Sequence, residues 1–342
     1  MAVTIKDVAR VAGVSHTTVS RALRDNPAIS PATSESIKRV ANEMGYVPNS
    51  AARGLKTKRS RTLGVIVRRI DDPFFGQVVN GIEDVLQSQD YSLFLAASNK
   101  DFAKEKEIVR NMSERRVEGV IICSTGISPA YREQLDRFGV PMVLVNNQAN
   151  SEFNCSVGHD DTFGAKQLAE HLIELGHTAI AYIGNGNAGR TNHDRLLGYQ
   201  QALTEAGIVM RPDFIVSAQT GRAEGGTQAA RRLLTLDALP TAIMCFNDMI
   251  ALGAMFTLQR AGLKIPEQCS ITGFDNIALS AHVNPTLTTF DQPKYELGQA
   301  AARMMLQIVE HERQAQPQRV RLRGKLAVRE STIPLNRAKR SE

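Results

Sequence analysis

His16, Thr17, Ser20 and Arg21 recur at i, i+1, i+4 and i+5, and the chemistry they offer is directional hydrogen bonding. A guanidinium presents two parallel donors that match O6 and N7 of guanine, while Thr, Ser and His make shorter, less discriminating contacts. Helical periodicity puts Val19, Ala22 and Leu23 on the opposite, inner side. The elements that must hold this face are legible around it. Thr4, with Asp7 three residues on, marks a helix start over Val8, Ala9 and Ala12. Gly13 makes a turn, and Ser15 caps the second helix. That pattern is a helix-turn-helix, whose second helix enters a major groove. Thr4 and Ser15, at the two helix starts, belong with the DNA-facing set. Ser30 and Pro31 begin a third helix that runs to Gly45, so residues 4–45 form one three-helix unit.

A bare helical hairpin with a polar outer face is the bland alternative, and charge weighs against it. Residues 1–62 hold eleven Lys and Arg against four Asp and Glu, which leaves 30 basic and 31 acidic groups in the other 280 residues. The chain's whole basic surplus sits beside the helix-turn-helix, as phosphate binding requires.

The chain has 342 residues and 42% hydrophobic content, enough for two or three domains. It shows no apolar run of membrane-spanning length and no secretory segment near Met1, so a cytoplasmic, nucleoid-associated protein without a membrane partner is expected. Cys123, Cys155, Cys245 and Cys269 stand singly, which indicates neither a zinc site nor a disulfide framework; at least three are expected as buried thiols. No metal spacing, Ser-His-Asp order or carboxylate pair points to catalysis, so no metal, cofactor or catalytic residue is assigned.

From Arg61 on, apolar runs at 62–67, 91–96, 117–123, 141–145, 179–183, 242–245 and 269–274 alternate with helical periods at 75–89, 103–115, 129–138, 162–175, 193–206, 223–235, 248–261 and 294–310. Continuous apolar strands between helices imply parallel sheets covered on both faces. The fold class is therefore α/β: an all-α helix-turn-helix headpiece followed by two doubly wound parallel-sheet subdomains. Ligands of such folds bind beyond the carboxyl ends of the strands. Asp275, Asn247 and Asp160 fall at those ends, and Phe74 and Phe75 open the helix after the first strand. A carboxylate, an amide and rings converging on a cleft suit a polyhydroxylated ligand. Asp160 and Asp248 also read as helix N-caps.

The whole pattern resembles the LacI/GalR family of repressors from Thr4 to about Thr332. The motifs that carry it are Val8-Ala9 through Val19-Ser20-Arg21-Ala22-Leu23, Gly45-Tyr46-Val47-Pro48-Asn49, Ala52-Arg53-Gly54-Leu55, Asp72-Pro73-Phe74-Phe75, Gly176-His177, Asn247-Asp248 and Gly273-Phe274-Asp275-Asn276. The resemblance implies a headpiece at 1–46, a hinge helix and linker at 47–61, an effector-binding and dimerisation domain at 62–332, and a basic tail at 333–342. Within the domain, about 62–160 plus 291–325 form one subdomain and 161–290 plus 326–332 the other, in a periplasmic-binding-protein-like arrangement. It further implies that the hinge folds only on operator DNA through Asn49, Ala52, Arg53 and Leu55. Leu55 is then the wedge between central base pairs, unstacking offset by the contacts of a bent duplex. Arg195, Thr191 and Gln292 match effector-binding positions, and a homodimer on a pseudo-palindromic operator follows, with an interface including 75–89 and 278–285.

One position departs from the pattern. Where sugar-sensing members often place a stacking ring, the alignment sets Gly221, and Arg222 or Arg190 suggests a sugar acid or phosphate instead. Gly184-Asn185-Gly186-Asn187-Ala188-Gly189 spells G-x-G-x-x-G, but the acidic residue about twenty positions on, Glu205, belongs to a helical stretch, so a dinucleotide is not expected. The expectation is a DNA-binding transcriptional repressor controlled by a small polar metabolite, a sugar or sugar derivative, in the cleft. The alternatives are a constitutive DNA-binding regulator with a degenerate cleft, and a solute-binding protein, which would need an export signal.

Overall fold

Thr4 opens the first helix with a reciprocal cap. Its Oγ1 accepts from Asp7 N–H at 3.4 Å, and the Asp7 carboxylate accepts from Thr4 N–H at 3.0 Å. The Thr4 hydroxyl also holds the Asp7 carboxyl below its usual range. The computed structural model describes residues 3–47, 59–99, 101–123, 133, 136–146, 155–310 and 318–335. The chain divides into two compact units at Arg61. The first holds α1 (Ile5–Val11), α2 (His16–Ala22) and α3 (Pro31–Glu43). Ser15 caps α2 through Thr18 N–H at 3.1 Å, and Ser30 caps α3 through Thr33 N–H at 3.3 Å, with Pro31 in the first turn. Gly13 and Gly45 take the left-handed backbone at φ 67° and 64°, where a side chain is disfavoured. Val8, Val19, Ala22, Ile37 and Ala41 close a small core, and the buried Ser34 hydroxyl donates to Ala22 C=O, tying α3 to α2. Asn49, Ala52, Arg53 and Leu55, the hinge positions, lie outside the described residues.

The second unit alternates strands and helices. In chain order these are β1 (Thr62–Val67), α4 (Pro73–Ser88), β2 (Ser92–Ala97), α5 (Phe102–Glu114), β3 (Gly119–Cys123), β4 (Met142–Val145), β5 (Cys155–His159) and α6 (Asp161–Glu174). Then follow β6 (Ile180–Asn185), α7 (Arg190–Glu205), β7 (Ile215–Ala218), α8 (Ala223–Leu233), β8 (Ala242–Cys245) and α9 (Asp248–Arg260). The last are β9 (Ser270–Asp275), β10 (Thr288–Asp291), α10 (Lys294–Glu310), β11 (Gln318–Leu322) and β12 (Lys325–Ala327). They form two six-stranded sheets, ordered β11-β5-β4-β3-β1-β2 and β12-β10-β9-β8-β6-β7. Every described pair is parallel except β10 with β12, which is antiparallel. The chain leaves the first lobe after β5, returns with α10 and β11, and ends by adding β12 to the second. Of the helix expected at 129–138, only 133 and 136–138 are described, and these are helical.

Five strands escape the apolar-run reading, for physical reasons. β5 and β7 alternate buried with more exposed residues, β10 buries threonines, and β11 and β12 are short charged edges. α4 and α10 meet closely because both carry glycine at the crossing: a Cβ at Gly81 would stand 2.1 Å from Tyr295 O, and one at Gly298 2.0 Å from Val78 O. That contact returns the chain to the first lobe. All four cysteines are buried free thiols.

Candidate functional site

On the headpiece, Ser15, His16, Thr17 and Arg21 are exposed on one side of α2, as is Thr4 before α1. Ser20 is half-buried, and its hydroxyl and carbonyl accept from Arg24 at 2.9 and 2.8 Å. Arg24, which the periodicity argument passed over, is thereby laid along the same helix as a second guanidinium. Asp7 and Arg10 pair at 3.0 Å, leaving Arg21 as an exposed cation at the end of α2.

The second unit carries a cavity of about 430 Å³ between its lobes. Its wall is built from strand ends: Arg68 and Arg69 follow β1, Asn146 follows β4, Asn185 closes β6, Gln219 follows β7, Phe246 and Asn247 follow β8, Asp275 closes β9, and Gln292 follows β10. The arrangement is the one parallel α/β sheets impose, since each strand delivers its next residue to the same edge.

Seven of the eight residues expected at an effector site line this cavity: Phe74, Phe75, Thr191, Arg195, Asn247, Asp275 and Gln292. Asp160 does not. Its carboxylate caps α6 through Phe163 N–H at 3.0 Å and meets Arg321 at 3.3 Å, so the helix-cap reading describes it. Asp248 is not the cap of α9. Asn247 is, accepting from Ile250 N–H at 2.9 Å, while Asp248 is buried beneath it and accepts from Ile277 N–H at 2.8 Å and the Thr289 hydroxyl at 2.5 Å. Burial pushes the Asp248 carboxyl up to about 7.

Arg195 organises the floor. Its Nε donates to Asp161 at 2.7 Å, Nη1 donates to Phe246 C=O and stands 3.7 Å from Asp275, and the guanidinium lies over the Phe274 and Phe246 rings at 3.8 and 4.4 Å. A planar, weakly hydrated cation tolerates such a sandwich where an ammonium would not. Asp275 takes a left-handed backbone at φ 117°, a costly conformation for a residue with a side chain. The buried Lys294 ammonium holds it there by donating to Asp275 C=O and, at 3.1 Å, to Gln292 C=O. Gln292 Nε2 donates to the Asp275 carboxylate, whose burial keeps its pKa well above the ordinary range. Phe74 and Phe75 pack edge to face at 5.1 Å on the first-lobe side.

Three polar atoms of this lining, Asn146 Oδ1, Thr191 Oγ1 and Gln292 Oε1, are buried without a partner among the described residues. A buried polar group left unpaired costs roughly 1–3 kcal/mol, so these three residues are places where a bound molecule would add stabilising contacts.

The place where a stacking ring was sought holds amides instead. A Cβ at Gly221 would come within 2.8 Å of Asn185 Nδ2, and Asn247 Nδ2 donates to Gly221 C=O at 3.0 Å. Asn146 and Asn185 were missed, although both obey the strand-end rule that singled out Asp275. Neither of the two arginines suggested for an anion is uncommitted. Arg190 bonds Asp194 at 2.7 Å, and Arg222 bonds Asp71 of the opposite lobe. In the glycine-rich turn after β6, Asn187 N–H donates to Asn185 Oδ1 at 3.1 Å and Asn185 N–H to Asn192 Oδ1 at 2.8 Å, so side chains of the turn occupy backbone donors that a pyrophosphate would need. Glu205 pairs with Lys166 at 2.7 Å at the far end of α7.

An exposed polar helical face in one unit and a two-lobed cavity in the other are features of a DNA-binding regulator. Residues 4–49 match the family model of bacterial regulatory proteins of the lacI family, and residues 60–329 match that of periplasmic binding proteins and the sugar binding domain of the LacI family. The chain is 34% identical to the HTH-type transcriptional repressor PurR of Aliivibrio salmonicida over 314 residues, covering 91% of this chain and 94% of the relative. Among solved structures, the lac repressor dimer bound to operator and the anti-inducer ONPF superposes with a TM-score of 0.86 at 27% identity, over 97% of this chain and 100% of that one. The transcriptional regulator CelR–cellobiose complex superposes with a TM-score of 0.75 at 28% identity, over 96% and 100%. The chain belongs to the LacI family and is a DNA-binding transcriptional repressor.

Proposed function

We propose that this repressor binds a pseudo-palindromic operator as a homodimer and is controlled by a small, uncatalysed ligand, a sugar or sugar derivative, held in the interlobe cavity. The observation that carries the ligand is the convergence of strand-end polar side chains and two phenylalanines on one interlobe cavity, three of whose lining residues keep a buried polar atom without a partner among the described residues. Similar proteins have been solved with cellobiose in one case and with operator DNA as a dimer in another, which supports both halves of the reading. The protein works in the cytoplasm, on the nucleoid. Ligand binding biases the angle between the lobes by its differential affinity for two arrangements, and this decides whether the repressor holds its operator. The chemistry is binding alone, without a catalytic step.

Selection of bound sequences from a random duplex pool, using the full chain, tests the DNA half. A palindrome with two half-sites is expected, with genes beside the genomic matches naming the pathway of the ligand. Enrichment without symmetry contradicts the dimeric reading.

A further inference from the structure

Charge at the cavity follows a consistent pattern. Arg69 grips Asp71 with both Nε and Nη2, at 2.7 and 2.6 Å, and Arg222 of the opposite lobe bonds the same carboxylate. Arg195 is bound by Asp161 and stands beside Asp275. Arg68 shares the wall with Asp72, whose carboxylate interacts favourably with it. Three of the four guanidiniums lining the cavity, Arg69, Arg195 and Arg222, are thus ion-paired with a carboxylate of the chain itself.

The unpaired atoms deeper in carry the complementary message. The Gln292 amide bonds Asp275 through Nε2 and has no partner among the described residues at Oε1. Asn146 adds an amide and Thr191 a hydroxyl that accepts or donates. Amides and a hydroxyl in a wall whose Arg69, Arg195 and Arg222 forks already hold carboxylates favour a ligand bearing hydroxyls over one bearing an anion.

We propose that Asp71 is a specificity-determining residue: by occupying Arg69 and Arg222 together, it reserves the cleft for uncharged, hydroxyl-rich ligands and excludes their carboxylate and phosphate forms. The pair Asp71–Arg222 joins the two lobes, so the contact that excludes an anion is also one that bridges the mouth. Selectivity here works by a resident competitor: an anion reaches these two forks only by displacing a carboxylate already held between them. The inference rests on the proposed role of the cavity as a ligand site, and it narrows that ligand's class.

The test uses inorganic phosphate as the probe and the full-length protein, by isothermal titration calorimetry at fixed ionic strength. Asp71→Asn keeps the shape of the side chain and frees both guanidiniums; at a half-exposed position it is compatible with the fold, and Asp71→Ser serves as a second version. Phosphate is expected to bind Asp71→Asn at least about tenfold more tightly than wild type, the effect of removing one negative charge at contact distance. Adding Arg222→Ala should return the affinity to the wild-type level. Equal phosphate affinity in wild type and both Asp71 variants overturns the proposal, and so does a gain that survives Arg222→Ala. The experiment needs neither operator nor effector. A cleft that regulates nothing would still show the gain, while loss of the sensing function would appear only in operator binding.

Discussion

The headpiece and the cleft both rely on polar side chains, but the headpiece keeps them in water and the cleft buries them. His16, Thr17 and Arg21 are exposed over a core of a few small apolar residues, so an unmade contact there costs little in the free protein. Arg195, Asp275 and Gln292 are buried, where each donor and acceptor must be answered by another group or by a ligand. The headpiece can therefore vary its recognition residues almost independently of its stability. In the cleft the side chains that line the cavity also hold the fold, so changing one disturbs the packing around it.

The strongest way to break this comparison is Arg195→Ala, which leaves Asp161 buried without its guanidinium. Loss of one partner of a buried pair costs about 3–5 kcal/mol, and urea unfolding of the second unit should show it. A loss below about 1 kcal/mol would place Arg195 with the surface residues of the headpiece.

Asp248 gives the next effect, through pH. Its folded carboxyl titrates near 7, above the ordinary value of 3.8, so the folded state binds the proton more tightly. Its contribution is fully present below about pH 4 and fades as pH rises through 7, with a slope of up to about 1.4 kcal/mol per unit. Asp248→Asn should flatten the fall in melting temperature between pH 5 and 8; an unchanged slope would assign that fall to other groups.

Arg21→Ala sharpens the contrast from the other side. It should weaken binding to the selected operator by about 1–3 kcal/mol if the guanidinium reads a base, while the melting temperature stays put. Ser15→Ala is smaller: loss of the α2 cap should cost the headpiece about 1 kcal/mol, seen in its own thermal transition.

The contrast also explains what was legible in the sequence. Capping residues, turn glycines and apolar periodicity are local signals, and the three headpiece helices follow from them because Thr4, Ser15 and Ser30 act within three residues of themselves. The long apolar strands were equally plain. In the cleft, strand ends located Asp275 and Asn247, but the same rule wrongly promoted Asp160, because an aspartate after a strand is also the natural cap of the next helix. The Asp71–Arg222 contact links residues 151 positions apart in opposite lobes, and no local pattern announces such a pair. Lys294 was invisible for a related reason: its ammonium serves two backbone carbonyls that only the returning chain brings together.

If a ligand in the cleft governs DNA binding through these polar side chains, Thr191→Val should separate folding from response. The Thr191 hydroxyl is buried without a partner among the described residues, so its removal should leave folding stability unchanged or slightly raised. Operator affinity of the full chain would be measured against a panel of neutral mono- and disaccharides, in wild type and in the variant. The account predicts that at least one sugar shifts wild-type affinity by about 5–150-fold, and that Thr191→Val binds operator normally but loses most of that shift. A wild-type protein indifferent to every sugar, or a variant that responds in full, would contradict it.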